Sequence, residues 1–248
     1  MGLPGGVTAC LFDLDGVLTS TATLHRAAWK ETFDEVIARY QGADAPKFSD
    51  DDYTKYVDGR LRADGVRTFL RSRGISLPEG APDDPGTAET VNGVGNRKND
   101  MLLKVVDTQG VTPYPGSVRY LQAASDAGLR IAVVTSSANG EIVLKAAGLD
   151  RFIEARIDGI YIAENHLPGK PAPDGFLAGA AALGVDPKEA AVFEDAIAGV
   201  QAGAAGKFGY VIGVDRLGPG TGHAEALSEH GADIVVQDLA ELLSEAGQ

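Results

Sequence analysis

The order of apolar and polar positions along the chain predicts a sheet of parallel strands. Five short apolar runs are continuous rather than alternating, which is typical of strands that are covered on both faces. These runs are Thr8–Phe12, Arg130–Val134, Ala190–Phe193, Gly209–Val214 and Asp233–Val236. Helical patterns that end in glycine lie between them, at Ser117–Gly128, Asn139–Gly148 and Asp174–Gly184. This alternation of strands and helices indicates an α/β fold with a doubly wound parallel sheet.

One long segment interrupts the alternation. Between residues 21 and 109 the sequence contains helical patterns and no strand-like run. The patterns are Leu24–Tyr40, Gly65–Arg73 and Asn96–Asp107, with a loop rich in proline and glycine at Ser76–Thr87. We therefore predict a helical cap domain of residues 21–109, inserted after the first strand. Residues 1–20 and 110–248 would form the α/β domain.

Composition and net charge argue against some classes of binding partner. Apolar residues make up 44% of the 248 residues, which is enough for a sizeable core. The net charge of −13 argues against nucleic acid or an anionic membrane as the main partner. The single cysteine, Cys10, excludes an internal disulfide bond. Without a signal peptide or a membrane-length apolar run, we expect a cytoplasmic protein, and we predict a monomer.

Polar residues follow the predicted strands at the points where these strands end. Asp13 and Asp15 come after the first strand, Thr135–Ser137 after the second and Glu194–Asp195 after the third. Lys170 lies in a loop that precedes the third strand. Because ligands of doubly wound sheets bind beyond the carboxyl ends of the strands, we expect these side chains to share one rim.

This combination of residues suits phosphoryl transfer. Neighbouring carboxylates repel each other unless a hard cation such as Mg²⁺ joins them, and an aspartate can attack phosphorus as a nucleophile. Thr135–Ser137 would bind the phosphoryl group at a helix N-terminus, and Lys170 would neutralise its charge. Asp15, two residues beyond Asp13, could serve as general acid and base.

Each of these features also has a purely structural interpretation. The spacing Asp-x-Asp is common in turns, Ser or Thr before a helix is usually an N-cap, and Glu194–Asp195 could cap the following helix. A lysine in a loop is usually solvated. Their joint occurrence at successive strand ends favours the functional interpretation. His166, His223 and His230 lack metal-ligand spacing, and we predict that they are surface residues.

At this point the chain resembles a known family. The segments FDLDGVLT, VVTSS, GKPAPD and FEDAIAGVQAGAAG are similar to the four successive motifs of haloacid dehalogenase-like phosphotransferases. The resemblance covers nearly the whole chain and includes a helical cap after the first motif, on a Rossmann-like core. It implies that Asp13 is the nucleophile and a Mg²⁺ ligand. It further implies that Asp15 is the acid/base and offers its backbone carbonyl to the metal, which Glu194 and Asp195 also bind. Lys170 and Thr135 would hold the phosphoryl group.

Within the superfamily the chain looks most like the β-phosphoglucomutase subgroup. The subgroup pattern T-x-x-x-H-x-x-A-W-K is matched from Thr21 to Lys30, R-K-N-D from Arg97 to Asp100, and S-x-N by Ser137 and Asn139. The resemblance implies that His25 helps to position Asp15. The predicted substrate-binding residues are Thr21, His25, Trp29, Gly59, Arg60, Arg62, Lys98, Ser136, Ser137 and Asn139.

The chain departs from the subgroup in the cap loop. The subgroup reads K-G-x-x-R, whereas residues 58–62 read DGRLR, so that Asp58 replaces the lysine. Arg60 could compensate, because arginine binds phosphate through two nitrogens. The leading hypothesis is a Mg²⁺-dependent mutase that interconverts β-glucose 1-phosphate and glucose 6-phosphate. A sugar-phosphate phosphatase on the same scaffold is the alternative that Asp58 motivates, and a non-enzymatic phospho-acceptor domain is a remote third.

Overall fold

The structure is a computed structural model that describes residues 1–244. It divides into two compact units. One, the α/β unit, consists of Met1–Ser20 and the chain from Val111 onward. The other, the helical unit, consists of Thr21–Gly110.

The α/β unit is built on a six-stranded parallel sheet. In chain order the strands are β1 Ala9–Phe12, β2 Arg130–Val134, β3 Ala155–Ile157, β4 Ala190–Glu194, β5 Tyr210–Val214 and β6 Ile234–Val236. Their order across the sheet is β3-β2-β1-β4-β5-β6. The predicted doubly wound parallel sheet is confirmed. The sequence analysis misses only β3, because it is three residues long, contains Arg156 and buries a single residue.

The two central strands hold the core together. Every residue of β1 and β4 is buried, and Phe12 lies opposite Val133 on one side and Phe193 on the other. The Phe12 and Phe193 rings stack with centroids 4.3 Å apart, and Tyr120 meets both rings edge-on. Aromatic pairs of this kind add to the free energy gained from buried area. The ends of β1 and β4, which carry the predicted catalytic acids, therefore lie on a rigid base.

Four helices form the helical unit: α1 Thr21–Gln41, α2 Asp50–Tyr56, α3 Arg62–Ser72 and α4 Val91–Gln109. Three of them correspond to predicted helical patterns. The fourth, α2, is missed because it spans seven residues and buries only Tyr53. Its N-terminal signal is nevertheless present, since Ser49 and Asp52 form a capping box.

Within the described residues, seven further α-helices surround the sheet. They are α5 Pro115–Asp126, α6 Gly140–Ala146, α7 Gly159–Glu164, α8 Asp174–Leu183, α9 Ile197–Ala205, α10 His223–Glu229 and α11 Glu241–Ser244. The predicted helix at Asp174–Gly184 corresponds closely to α8, where Gly184 adopts the left-handed conformation that ends the helix. Within residues 1–244, no helix combines the length and the apolar character needed to span a bilayer.

The core of the helical unit is an aromatic cluster. Phe33 is fully buried, stacks on Trp29 at 4.9 Å and lies 4.2 Å from Phe69, measured between ring centroids. Phe48 contacts both Phe33 and Phe69. The cluster joins α1 to α3 and to the loop before α2.

We expect Phe33→Ala to lower the free energy of unfolding by about 3–5 kcal/mol, because it leaves a cavity among these rings. Urea unfolding followed by the fluorescence of Trp29, the only tryptophan, measures this directly. Tyr40→Ala on the same helix is the matched control, since Tyr40 is 42% exposed and its loss should cost about 0.5 kcal/mol. Equal destabilisation by the two substitutions would contradict this account of the core.

Candidate active site

Asp13 extends β1 beyond its last strand residue. Its backbone N–H donates to the carbonyl oxygen of Phe193 at 2.9 Å, which continues the pairing of β1 with β4. The Asp13 side chain is almost entirely buried. The sheet therefore fixes this carboxylate at the tip of its central strand.

A tight loop follows Asp13 and leads to Ser20. Within it, the N–H groups of Leu18 and Thr19 donate to the Leu14 carbonyl, and the Gly16 N–H donates to the Thr19 carbonyl at 2.8 Å. Leu14 and Leu18 are buried, whereas Asp15 remains half-buried. The Asp15 carboxylate lies 3.5 Å from the Thr135 hydroxyl. The loop thus brings Asp15 to the same rim as Thr135, which directly follows β2.

Lys170 is buried between two acidic side chains. Its Nζ donates to Asp13 Oδ1 at 2.6 Å, to the Val134 carbonyl at 3.3 Å, and to Glu194 Oε1 in a short contact. Burial by itself lowers the pKa of this lysine, but the two carboxylates outweigh it and raise the pKa above its ordinary value. Lys170 is therefore a permanent cation at the ends of three strands.

Three carboxylates form a cluster that could hold a metal ion. Asp13, Glu194 and Asp195 offer oxygens that all lie within 4.8 Å of one another. Burial raises the pKa of Glu194 to about 7, although the Lys170 ammonium opposes this shift. Oxygen donors and excess negative charge fit a hard divalent cation such as Mg²⁺. Asp15 is not part of this carboxylate cluster; its predicted contribution is its backbone carbonyl.

Two glycines that the sequence analysis does not single out make room for these carboxylates. A Cβ atom on Gly16 would lie 1.8 Å from Asp195 Oδ2, and one on Gly199 would lie 1.8 Å from Glu194 Oε1. Gly16 also has a φ of +97°, which other residues rarely adopt. A clue for Gly16 was present in the sequence, since it directly follows Asp15. For Gly199 no local pattern reveals the contact.

The segment after β2 is a short loop that leads to α6. The α6 helix begins at Gly140 with Asn139 as its N-cap, which agrees with the predicted helix at Asn139–Gly148, and Thr135–Ser137 lie in the loop that leads directly to it. Two hydrogen bonds shape the loop: the Ser137 N–H donates to the Thr135 hydroxyl at 3.1 Å, and the Asn139 N–H donates to the Ser137 hydroxyl at 3.2 Å. Thr135 and Asn139 are buried, whereas Ser136 and Ser137 are half-buried.

In the helical unit, three predicted substrate-binding residues lie together. The Lys98 ammonium lies 3.0 Å from His25 Nδ1 and 5.0 Å from the centre of the Trp29 ring. Burial, Lys98 and Arg62 lower the pKa of His25 well below its ordinary value, so its ring is neutral and Nδ1 can accept from Lys98. Trp29 itself stacks on Phe33 and is 4% exposed, which favours a role in packing.

The remaining predicted residues of the helical unit are distributed around the start of α3 and of α1. Arg62 donates to the side-chain oxygens of Asn96 and Asn99, at 3.1 and 2.8 Å. Gly59 adopts a φ of +71° in the turn that precedes α3, and Arg60 is half-buried there. Thr21 is the buried first residue of α1.

The prediction that His223 is a surface residue is wrong. His223 is 8% exposed, and its Nδ1 lies 3.0 Å from a carboxylate oxygen of the buried Asp215. The pair closes the loop that follows β5. Eight positions separate the two residues, so sequence spacing alone gives no sign of the contact.

Comparisons with known proteins identify the family. Residues 7–207 match the family model described as haloacid dehalogenase-like hydrolase. A protein from Mycobacterium tuberculosis named β-phosphoglucomutase is 56% identical over 247 residues, covering 98% of this chain and 94% of the relative. A protein of the same name from Bacillus subtilis is 29% identical, covering 96% of this chain and 92% of the relative.

A solved structure supports the same conclusion at the level of the fold. The crystal structure of β-phosphoglucomutase from Clostridium difficile superimposes with a TM-score of 0.76 at 24% identity, covering 95% of this chain and 93% of that one. The parallel sheet, the acidic residues at the strand ends and the similarity to these relatives all agree. The chain therefore belongs to the haloacid dehalogenase-like superfamily of enzymes, within the β-phosphoglucomutase subgroup.

Proposed function

We propose that the protein is a phosphoglucomutase that converts β-glucose 1-phosphate to glucose 6-phosphate through an aspartyl-phosphate. The observation that carries the proposal is the 56% identity, over nearly the full length of both chains, to a mycobacterial protein named β-phosphoglucomutase. The geometry of the α/β unit supports it, because a buried aspartate, a lysine and an acidic cluster meet at one rim.

Asp13 is the proposed nucleophile. One of its carboxylate oxygens attacks phosphorus, and a P–O bond to Asp13 forms while the bond from phosphorus to the sugar oxygen breaks. Lys170 holds Asp13 Oδ1 at 2.6 Å and so fixes the direction of the carboxylate. Its positive charge also offsets the negative charge that collects as carboxylate and phosphate approach each other.

Asp15 is the proposed acid and base. When the sugar oxygen leaves phosphorus, Asp15 donates a proton to it; when a sugar hydroxyl attacks the aspartyl-phosphate, Asp15 takes that proton back. The Thr135 hydroxyl, 3.5 Å from the Asp15 carboxylate, together with the Ser136 and Ser137 loop, would bind the phosphoryl oxygens. In the mutase cycle a glucose bisphosphate forms and then returns its other phosphate to Asp13.

The donor set of Asp13, Glu194 and Asp195 is proposed to hold Mg²⁺, with the Asp15 carbonyl as a further ligand. When bound, the cation would neutralise charge on the transferring phosphoryl group. For the helical unit we propose that Thr21, His25, Gly59, Arg60, Arg62 and Lys98 contact the sugar or its second phosphate. Asn139 of the α/β unit belongs to the proposed set as well, and Trp29 would support it through its contact with Lys98.

A phosphatase on the same scaffold is the second candidate. Asp58 favours it, because a carboxylate stands where the subgroup carries a lysine that would face the sugar phosphate. In this case water rather than a sugar hydroxyl would attack the aspartyl-phosphate. The two candidates differ in products and not in the first chemical step.

Phosphorus NMR distinguishes them. With β-glucose 1-phosphate, Mg²⁺ and a trace of glucose 1,6-bisphosphate, we expect the signal of glucose 6-phosphate to grow and inorganic phosphate to stay at its starting level. Release of inorganic phosphate as the main product would reject the mutase assignment in favour of the phosphatase. If neither product forms while Asp13 becomes stably phosphorylated, the protein is a phospho-acceptor.

The two aspartates should respond differently to substitution. Asp13→Asn removes the nucleophile, so we expect neither turnover nor a phospho-enzyme in quenched samples. Asp15→Asn should slow turnover by about 10²–10⁴-fold, because it removes only proton transfer. Circular dichroism controls for folding. An Asp15→Asn enzyme as fast as the wild type would contradict the acid/base assignment.

Cation binding should depend on pH in a defined direction. Because the pKa of Glu194 rises from 4.5 to about 7, the folded apoprotein holds a proton in this interval that the unfolded chain has lost. Binding of this proton stabilises the folded apoprotein relative to the unfolded chain, and that stabilisation is lost as the pH rises towards 7. A divalent cation competes with that proton, so Mg²⁺ should stabilise the protein far more at about pH 7.5 than at about pH 5.5.

Thermal unfolding with and without Mg²⁺ measures this effect. We expect a gain of about 2–3 kcal/mol near pH 7.5 when Mg²⁺ is at roughly 100 times its Kd. Asp195→Asn should abolish most of the gain, whereas Glu141→Gln, which alters an exposed acid paired with Lys145, should leave it unchanged. A gain that does not depend on pH or on Asp195 would show that the cation binds elsewhere.

A further inference from the structure

Arg216 follows β5, outside the four segments that resemble family motifs, yet it reaches the loop that carries Asp15. Its Nε donates to the Gly16 carbonyl at 2.8 Å, and its Nη2 donates to the Val17 carbonyl at 3.2 Å. Its side chain is only 16% exposed. An arginine 200 positions away in the sequence therefore holds the two residues that come directly after the proposed acid/base.

The other donors and the face of the guanidinium are also engaged. Nη1 donates to the Gln237 carbonyl at 2.7 Å and to the Asp238 carboxylate at 3.2 Å. The guanidinium carbon lies 3.7 Å from the centre of the Tyr114 ring, which covers one face. A planar cation held by acceptors on two sides and by a ring on its face has little freedom to move.

Hydrogen bonds within the loop fix its internal shape, whereas bonds from other segments fix its position. The N–H groups of Gly16, Leu18 and Thr19 all donate within the loop. The Gly16 and Val17 carbonyls instead point to partners elsewhere in the α/β unit, since Val17 also accepts from the Ser117 hydroxyl at 2.7 Å. The position of the loop, as distinct from its internal shape, thus depends on residues that follow β5 and β6 and on the start of α5.

We propose that Arg216 is a positioning residue, which sets the distance from the Asp15 carboxylate to the reacting oxygen by holding the Gly16 and Val17 carbonyls. This inference rests on the proposed role of Asp15 in phosphoryl transfer. Proton transfer requires a donor within hydrogen-bond reach of the leaving oxygen, and small displacements of such a group are costly. The hydrogen bonds of Arg216 reach neither the acidic cluster nor Lys170, so its effect on Asp15 passes through the loop.

The test compares substrates that differ in their need for a proton. Release of an alkoxide from a glucose phosphate requires an acid, whereas nitrophenolate leaves p-nitrophenyl phosphate without protonation. In Arg216→Met we expect turnover of glucose phosphate to fall by about 10–100-fold. The first-turnover burst of nitrophenol, which ends at the aspartyl-phosphate of Asp13 and needs no proton transfer, should slow by less than about threefold. Arg216→Lys supplies a single point donor and should fall between wild type and Arg216→Met with glucose phosphate.

Arg130→Met is the matched control. Arg130 also donates to a carboxylate and to a backbone carbonyl, of Glu154 and Leu183, but it lies at the start of β2 and thus at the opposite end of the sheet. Loss of its bonds should leave the ratio of the two rates at the wild-type value. A simple loss of folded protein lowers both rates by the same factor and also leaves the ratio unchanged.

Two results would overturn the proposal: an equal fall with both substrates in Arg216→Met, or no fall with either. Hydrogen exchange provides a measurement that needs no turnover. The Gly16 and Thr19 amides should exchange faster in Arg216→Met than in the wild type, and equal rates would also contradict the proposal. If the wild type releases inorganic phosphate instead of forming glucose 6-phosphate, the mutase assignment fails, but the comparison of the two substrates still decides the role of Arg216.

Discussion

The site depends on one buried ammonium group between two carboxylates. Lys170 Nζ contacts both Asp13 and Glu194, and all three side chains are almost entirely buried. Isolated charges at this depth would be very costly, and removal of one partner would leave the other charge uncompensated. Lys170 thereby allows β1 and β4 to end in acids side by side, in the middle of a sheet whose strands are otherwise apolar.

The carboxylates also need space, and this need explains the positions of two glycines in the backbone around the site. The Asp195 and Glu194 carboxylates lie so close to Gly16 and Gly199 that neither position can carry a Cβ atom without displacing an acid. The loop after β1 and the helix after β4 are consequently packed against the acidic cluster by backbone and not by side chains. Lys170 and the Ala196 N–H orient the Glu194 carboxylate, which accepts hydrogen bonds from both.

The loop after β1 shows why parts of a site escape sequence analysis. Asp13 and Asp15 are recognisable because they follow an apolar strand directly, and strand ends are where such folds bind ligands. Arg216 gives no comparable signal, since it is a single arginine in a glycine-rich loop, and its partners lie about 200 positions earlier and about 20 later. His223 is misjudged for a related reason: its burial depends on Asp215, which no periodic pattern links to it.

By itself, the sequence determined the class of fold, the inserted helical segment and the acids, hydroxyl and lysine at the strand ends. Continuous apolar runs, glycine stops and polar residues next to them are local properties, and they need no knowledge of distant contacts. Only the tertiary structure decided that Lys170 lies between Asp13 and Glu194, that Arg216 holds the loop after β1, and that two glycines must face carboxylates. These features depend on which strands become neighbours in the sheet, and that choice is made by packing of the whole core and not by any single segment.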